Sequence, residues 1–460
     1  MYTYKFTYQK LLFAFTCIVF CMSVLPACEK YLEAKPDQSV SIPSTLGDMQ
    51  ALMDNASLLN TGFPSAAEMS SDNFYLADNA WMGLTDITAK NLYTWDAQTT
   101  NRGDWSSPYR VVSYANIVLD NMDKIALTTQ NNAAYKRVLG TALFFRSFSF
   151  FQLAQYFAPV WDSSKAAVLL GIPLRLHAEI TNVSQRASLQ VSFRQIVHDM
   201  EEAVKYLPVN TEFKTQPTKA AGWAHIARVY LYMRYYEQAG RAADSSLALF
   251  NKLLDYNQAD TIGSIPFKLM NDEVIFHARI SGGSSLSNSA TIVDSSLYAS
   301  YETADLRKKL FFASRTGGGY SFKGSYLGEL TPLAFIGFTA AEMLLVKAEV
   351  AARLGKTDDA LKALNALLEK RYRKSQFVPV AIQDAELLLG RILAERRKEL
   401  IFRGQRWADL KRLNLDPRFA MVLKRNIAGT LYQLQPNDLR YNFLIPDDVI
   451  KMTGMLQNPR

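Results

Sequence analysis

The chain has 460 residues, 49% of them hydrophobic and 12% aromatic, and a formal charge of +8, enough length and apolar content for a large buried core. Its three cysteines, Cys17, Cys21 and Cys28, all precede Glu29, so no disulfide framework staples the body. The basic excess is dispersed and its densest run, Arg396-Arg397-Lys398, is bracketed by Glu395 and Glu399, which argues against nucleic acid as a partner.

The N-terminus carries Lys5 and Lys10, then an apolar run from Leu11 to Leu25 that ends in Leu25-Pro26-Ala27-Cys28. This order makes a secretory signal peptide. The run is about 15 residues, roughly 22 Å as a helix, short of the ~20 residues a bilayer core demands. A small residue before a cysteine at such a boundary resembles the bacterial lipoprotein processing site, where the cysteine sulfur is acylated and becomes the new N-terminus. On that reading residues 1–27 are removed, Cys28 is the lipidation site, 28–40 form a tether and 41–460 the folded body, anchored without a spanning helix. Pro26 stands where a small or β-branched residue is usual, and the competing reading is a plain signal peptide cut near Ala27.

A polar and aromatic excursion, residues 67–109, precedes the first strong helical pattern. Ala134 to Tyr156 is that pattern, with Leu139, Leu143, Arg146 and Phe150 near helical spacing. Phe193 to Pro208 places Ile196, Met200, Ala203, Val204 and Leu207 on one helix face. Trp223, Ile226, Ala227 and Tyr230, followed by Ala239 and Ala243, fit the tetratricopeptide helix hairpin, in which small residues let two helices approach closely. Pro217-Thr218 marks its start. A second copy spans Thr339 to Leu368, with Leu344, Ala348 and Ala351 in its first helix, Gly355 at the turn, and Ala360 and Leu364 in its second. Equivalent positions Ala239 and Ala360 lie about 120 residues apart, whereas adjacent repeats are about 34 apart. Residues 251–337 fill the gap with a second excursion rich in Ser, Gly and Tyr. The expected fold is therefore all-α (mostly helical), a tetratricopeptide-like scaffold near 134–250 and 338–413 interrupted by long loop excursions that carry function.

The stretch from Glu395 to Arg412, Glu-Arg-Arg-Lys-Glu-Leu-Ile-Phe-Arg-Gly-Gln-Arg-Trp-Ala-Asp-Leu-Lys-Arg, predicts a charged helix stopped by Gly404 and a second helix with Trp407 and Leu410 turned inward. It resembles the signature of the SusD/RagB family, the outer-membrane nutrient-binding lipoproteins of Bacteroidetes. Cys28 to Glu33 with Pro36, Trp105 with Tyr109 and Ala115-Asn116, Tyr156 to Val160, Gly171 to Leu174, Leu444-Ile445-Pro446 and Gln457-Asn458-Pro459 are similar to family motifs as well, although Arg460 replaces the usual Gly-Tyr ending. The resemblance implies a SusD-like fold and a cell-surface lipoprotein facing the exterior. Such a protein covers a SusC-like TonB-dependent transporter and passes it oligosaccharides or, in some branches, peptides. Two further readings stay open: a structural lid with little ligand affinity of its own, and a tetratricopeptide adaptor for protein partners. The last is disfavoured by the interrupted repeats.

The resemblance implies no enzyme. The four histidines, His177, His198, His225 and His277, lack zinc spacing, and no nucleophile elbow or phosphate loop occurs; neither cofactor nor metal is expected. His225 is read as a surface or groove residue of its helix. The alternating charges Glu395, Arg397, Glu399, Arg406 and Asp409 are read as an ion-pair network, not an acid/base site.

Sugars offer apolar C–H faces to aromatic rings and hydroxyls to Asn, Asp and Arg. Trp81, within Tyr75-Leu76-Ala77-Asp78-Asn79-Ala80-Trp81, is the leading candidate, with Tyr75, Asp78 and Asn79 beside it; equally, Trp81 caps a small local core. Tyr320, after Gly317-Gly318-Gly319, and Tyr326 are candidates in the second excursion, against a bare hairpin turn. Trp95 and Trp105 are assigned to scaffold packing, and Ser281 to Ser289 to a flexible loop without a ligand.

Overall fold

The computed structural model describes residues 43–179, 183–331 and 333–460. Cys28, the signal peptide and the tether lie outside the described residues. Nine helices build the scaffold: α1 (Arg102–Met122), α2 (Asn132–Phe157), α3 (Leu189–Tyr206), α4 (Lys219–Met233), α5 (Tyr236–Leu249), α6 (Ala340–Arg353), α7 (Thr357–Leu368), α8 (Ala385–Glu399) and α9 (Arg406–Leu413). Their starts are chemically marked. Ser188, Thr218, Thr339 and Asp384 each accept a hydrogen bond from the backbone N–H three residues on, which satisfies a donor the first turn leaves open. Pro217 directly precedes the cap Thr218.

From α1 to α7 each helix packs on the next, and α8 lies against α6. The junction of α5 and α6 corrects an expectation. The two tetratricopeptide hairpins are far apart in sequence but stacked in space, and Lys347 of α6 pairs with Asp244 of α5 at 2.6 Å. The excursion between them loops out of a continuous helical stack, so interruption is no argument against repeat packing. At the centre runs α2, buried on every side from Gly140 to Phe157, as a helix apolar all round must be. His225 is another correction: it is fully buried among Phe144, Phe148, Phe151 and Phe338, 3.2 Å from Ser147 Oγ. Burial keeps its imidazole neutral.

The first long helix is α1, which starts within the stretch assigned to the first excursion. Gly103, Ser106, Ser107 and Pro108 break the apolar spacing there, yet Asn101 caps the start and Trp105, Val111, Val112 and Ala115 are buried. One short antiparallel strand pair, Val274–Phe276 with Phe338–Thr339, ties the second excursion to the scaffold, and another ties the two excursions together. Among the described residues no helix is long and apolar enough to cross a membrane. Thr45–Arg460 forms a single compact unit.

The charged hairpin α8–α9 is the electrostatic hub. Helix α8 ends at Glu399 and the chain turns through Phe402 and Gly404, both at positive φ, so the helix stops earlier than Gly404 alone predicts. Glu395 and Glu399 face the buried guanidinium of Arg307 at 2.6 and 3.2 Å. Arg396 pairs with Asp409, and Arg412 bridges Asp409 and Glu349. Trp407 and Leu410 point inward.

Candidate functional site

The two excursions meet through strands. β1 (Phe74–Leu76) pairs antiparallel with β2 (Thr291–Val293), with Tyr75 opposite Ile292. Alternation sends Phe74 and Leu76 into the core and leaves Tyr75 38% exposed. The hairpin of β3 (Phe312–Ser314) and β4 (Tyr320–Phe322) turns through Gly317, Gly318 and Gly319 at φ of 96°, 97° and 74°, which non-glycine residues rarely adopt. That turn sets the Tyr320 ring on Tyr298, with centroids 3.5 Å apart and planes 14° from parallel. A Cβ on Gly319 would lie 3.7 Å from Tyr75 Oη, so the turn that precedes Tyr320 passes close to the Tyr75 hydroxyl. Lys308 Nζ stands 4.9 Å from the Tyr298 ring.

Tyr75 also borders a cleft of about 360 Å³, whose polar rim includes Asp72, Asp294, Ser295, Lys424 and Asn426. The last two belong to β5 (Leu423–Ile427), paired with β6 (Thr430–Leu434). Arg425 forms the floor. Its guanidinium lies 3.6 Å from the Tyr93 ring and 4.5 Å from Trp95, and donates to the carbonyls of Tyr93 and Ser71. Burial lowers its pKa to about 10. Burial alone would raise Asp72, but Arg406 at 2.6 Å and Arg397 at 3.1 Å outweigh it and hold the carboxyl well below the usual range. Arg397 also faces Asp294 at 3.7 Å. The signature hairpin thus supports the rim through fixed charges.

The structure separates the sequence-predicted candidates. Tyr75 and Tyr320 come together. Trp81 sits on the short helix Asp78–Met82, half-buried, where its Nε1 donates to Lys90 O at 3.2 Å, Lys90 Nζ stands 4.4 Å from its ring, and Tyr432 of β6 packs at 6.5 Å. Its ring is therefore already engaged by local packing. Asp78 and Asn79 are exposed on the same helix. Tyr326 is a correction: it has no exposed surface. Its hydroxyl meets Tyr256 Oη at 2.7 Å and Glu273 Oε1 at 3.1 Å, and the Arg403 guanidinium lies 3.5 Å from its ring. A ring so enclosed offers no face to a ligand. Trp95 and Trp105 are buried, as expected of packing residues. The stretch Ser281 to Ser289 is another correction: Ser285 and Leu286 are buried and Arg315 donates to the carbonyls of Asn288 and Ser289.

Tyr298, Asp294, Lys424 and Asn426 escaped the sequence reading. Asp294-Ser295-Ser296 is a helix-cap pattern that would have placed Tyr298 one turn in. Ala428-Gly429 between two alternating runs marks the hairpin of Lys424 and Asn426.

Comparisons with known proteins agree over most of the chain. A family model described as "Starch-binding associating with outer membrane" matches residues 30–231, and one described as "SusD family" matches residues 334–448. SusD-like protein P38 of Formosa agariphila is 24% identical over 474 residues, covering 86% of this chain and 90% of that protein. SusD-like protein P2 of the same organism is 22% identical, covering 68% and 71%. Among solved structures, a SusD superfamily protein from Bacteroides thetaiotaomicron superposes with a TM-score of 0.70 at 21% identity, over 90% of this chain and all of the other. A SusD-like carbohydrate binding protein from Bacteroides vulgatus gives 0.67 at 20% identity, over 89% and 97%.

Proposed function

The chain belongs to the SusD/RagB family, whose members are sugar-binding-associated proteins of the outer membrane, and from that premise we propose that it captures oligosaccharides at the cell surface. The observation that carries this reading is that Tyr75 borders a polar cleft and brings its hydroxyl close to Gly319, next in the chain to the Tyr320 that stacks on Tyr298. Tyrosine rings stack on the C–H faces of sugars, and the rim of Asp294, Ser295, Lys424 and Asn426 meets the hydroxyls. Trp81, Asp78 and Asn79 flank this surface as secondary contacts. The protein acts as a binder, not an enzyme. Cys28 carries the lipid that anchors it to the outer membrane, and a SusC-like TonB-dependent transporter receives the ligand.

The test is calorimetric titration of the full chain in detergent against neutral oligosaccharides and peptide digests. Heat from one glycan class that Tyr75→Ala or Tyr298→Ala diminishes supports the reading. Heat from peptides alone transfers the protein to peptide capture, and silence from both leaves it as a lid that acts only with its transporter. Metabolic labelling with a fatty-acid analogue, lost in Cys28→Ala, tests the anchor.

A further inference from the structure

A second concavity, of about 370 Å³, shares no lining residue with the cleft of Tyr75. It is enclosed by α1, the chain following Gly171-Ile172-Pro173, and the segment from Val449 to Met455. Its wall is aromatic. Trp105 and Tyr109 pack with centroids 5.0 Å apart, Trp105 is braced edge-on by Phe157 at 5.0 Å, and the half-buried Tyr109 is pinned by donating its hydroxyl to Pro173 O at 2.8 Å.

Its charge is one-sided. Arg110, Arg175 and His177 line it, and among the described residues no acidic side chain does. Arg110 is exposed, and among the described residues no hydrogen bond or ion pair engages its guanidinium. Arg175 spends two of its nitrogens on uncharged oxygens, Ser184 Oγ at 3.0 Å and Glu179 O at 2.6 Å. Arg186, whose charge also acts on the Tyr109 hydroxyl, donates only to backbone carbonyls, among them Gly171 O at 2.9 Å. Two neighbouring carboxylates are occupied. Asp120 is held by His177 Nδ1 at 3.0 Å and Ala178 N at 2.7 Å, and Asp448 by Arg102 at 3.2 Å. Guanidinium groups left with uncharged partners beside an aromatic wall are a recognition set for an anion carried on an apolar face.

We infer that this concavity is a second binding site, and that it takes an acidic saccharide, with the sugar ring against the half-buried Tyr109, which Trp105 backs, and a carboxylate or sulfate at Arg110 and Arg175. The inference stands on its own observations and does not depend on the cleft of Tyr75 being a ligand site.

The experiment titrates the full chain in detergent with a trigalacturonate, with a sulfated galactose trisaccharide, and with the neutral galactose trisaccharide. At least one acidic trisaccharide binds, the neutral one binds at least about tenfold more weakly, and affinity falls as salt is raised. The acidic probe that binds tells carboxylate from sulfate. Arg110→Gln, a change at a side chain with no hydrogen bond or ion pair among the described residues, weakens the acidic ligand about tenfold and leaves the urea midpoint unchanged. Tyr75→Ala leaves that binding intact. Equal affinity for charged and neutral trisaccharides, no binding of either acidic one, no effect of Arg110→Gln, or loss of acidic binding in Tyr75→Ala would each overturn the inference. The last result would move the acidic ligand to the first cleft. Failure of neutral sugars at Tyr75 alone would count against the proposed function without touching this site.

Discussion

Arg371 holds Glu399 with two nitrogens, Nε at 3.0 Å and Nη2 at 2.8 Å from Oε1, and both side chains are buried. Arg307 reaches the other oxygen of Glu399 at 3.2 Å. One carboxylate therefore serves two guanidinium groups taken out of water. Removing one partner of a buried pair leaves a charge uncompensated, which typically costs about 3–5 kcal/mol. Glu399→Ala should lower the unfolding free energy by that amount, read as a lower urea midpoint at unchanged denaturant slope. Glu399→Gln should cost less because its amide oxygen still accepts a hydrogen bond. A loss below about 1 kcal/mol in Glu399→Ala would show that the network is slack.

Gly404 has φ of 66°, and a Cβ there would lie 2.5 Å from Ile336 Cγ2. Its backbone N–H donates to Glu68 at 2.9 Å. Gly404→Ala combines left-handed strain of about 1 kcal/mol with a displaced neighbour, for a total of roughly 2–4 kcal/mol. Gly429 is the internal control: its φ is 82° but nothing lies within 4 Å of the added methyl. Gly429→Ala should show the strain alone. Thermal unfolding of the two variants side by side separates the steric part from the backbone part, and equal losses would refute the steric assignment.

The helical scaffold was legible because its determinants are local. Small residues at Ala227, Ala239, Ala348 and Ala360, the caps Thr218 and Thr339, and Gly355 at φ of 71° all act within a few residues. The stacking of α5 on α6 was hidden because no spacing rule spans a long insertion. The start of α1 was hidden because packing overrides the weak propensity of Gly103, Ser106 and Pro108. The sequence put candidates in both aromatic excursions, but nothing in it announced that the two would meet, and it named only some of the residues there. Tyr75 and Tyr320 converge because β1 pairs with β2 and a glycine turn folds back. Tyr326 is claimed by Glu273 and Arg403, distant partners that no local pattern of a Gly-Ser-Tyr run can announce. Trp81 is claimed by Lys90 and Tyr432 for the same reason.

Those placements rank the aromatic contacts. Tyr320 and Tyr298 stack on one another, so removing either weakens the surface shared by both. Tyr320→Ala and Tyr298→Ala should each reduce oligosaccharide affinity by about 1 kcal/mol, roughly fivefold. Trp81→Ala should reduce it less, because Lys90 already stands against its ring. Titration of the three variants with the same glycan checks the order. A larger loss for Trp81→Ala than for either tyrosine would relocate the platform to the helix Asp78–Met82.

Lys411 on α9 gives a pH dependence with a definite sign. It is buried without a carboxylate, and Nζ donates to Gln155 O and Ala158 O, both at 2.8 Å. Burial lowers its pKa from 10.5 to about 7. Between those values the unfolded chain binds a proton that the folded protein releases, so stability rises with pH. The gain is up to about 1.4 kcal/mol per pH unit. The buried carboxylates Glu68 and Asp104, raised by burial to about 7 and about 6, act in the opposite sense, but their window closes near pH 7. The buried tyrosines, whose pKa values burial raises, are numerous enough to oppose Lys411 from about pH 9. Urea unfolding between about pH 7.5 and 8.5 therefore isolates the lysine. The wild-type midpoint should climb over that range, and the midpoint of Lys411→Met should stay nearly flat whatever its absolute stability. Parallel curves for the two proteins would mean that Lys411 keeps an ordinary pKa and that the two carbonyls compensate its burial in full.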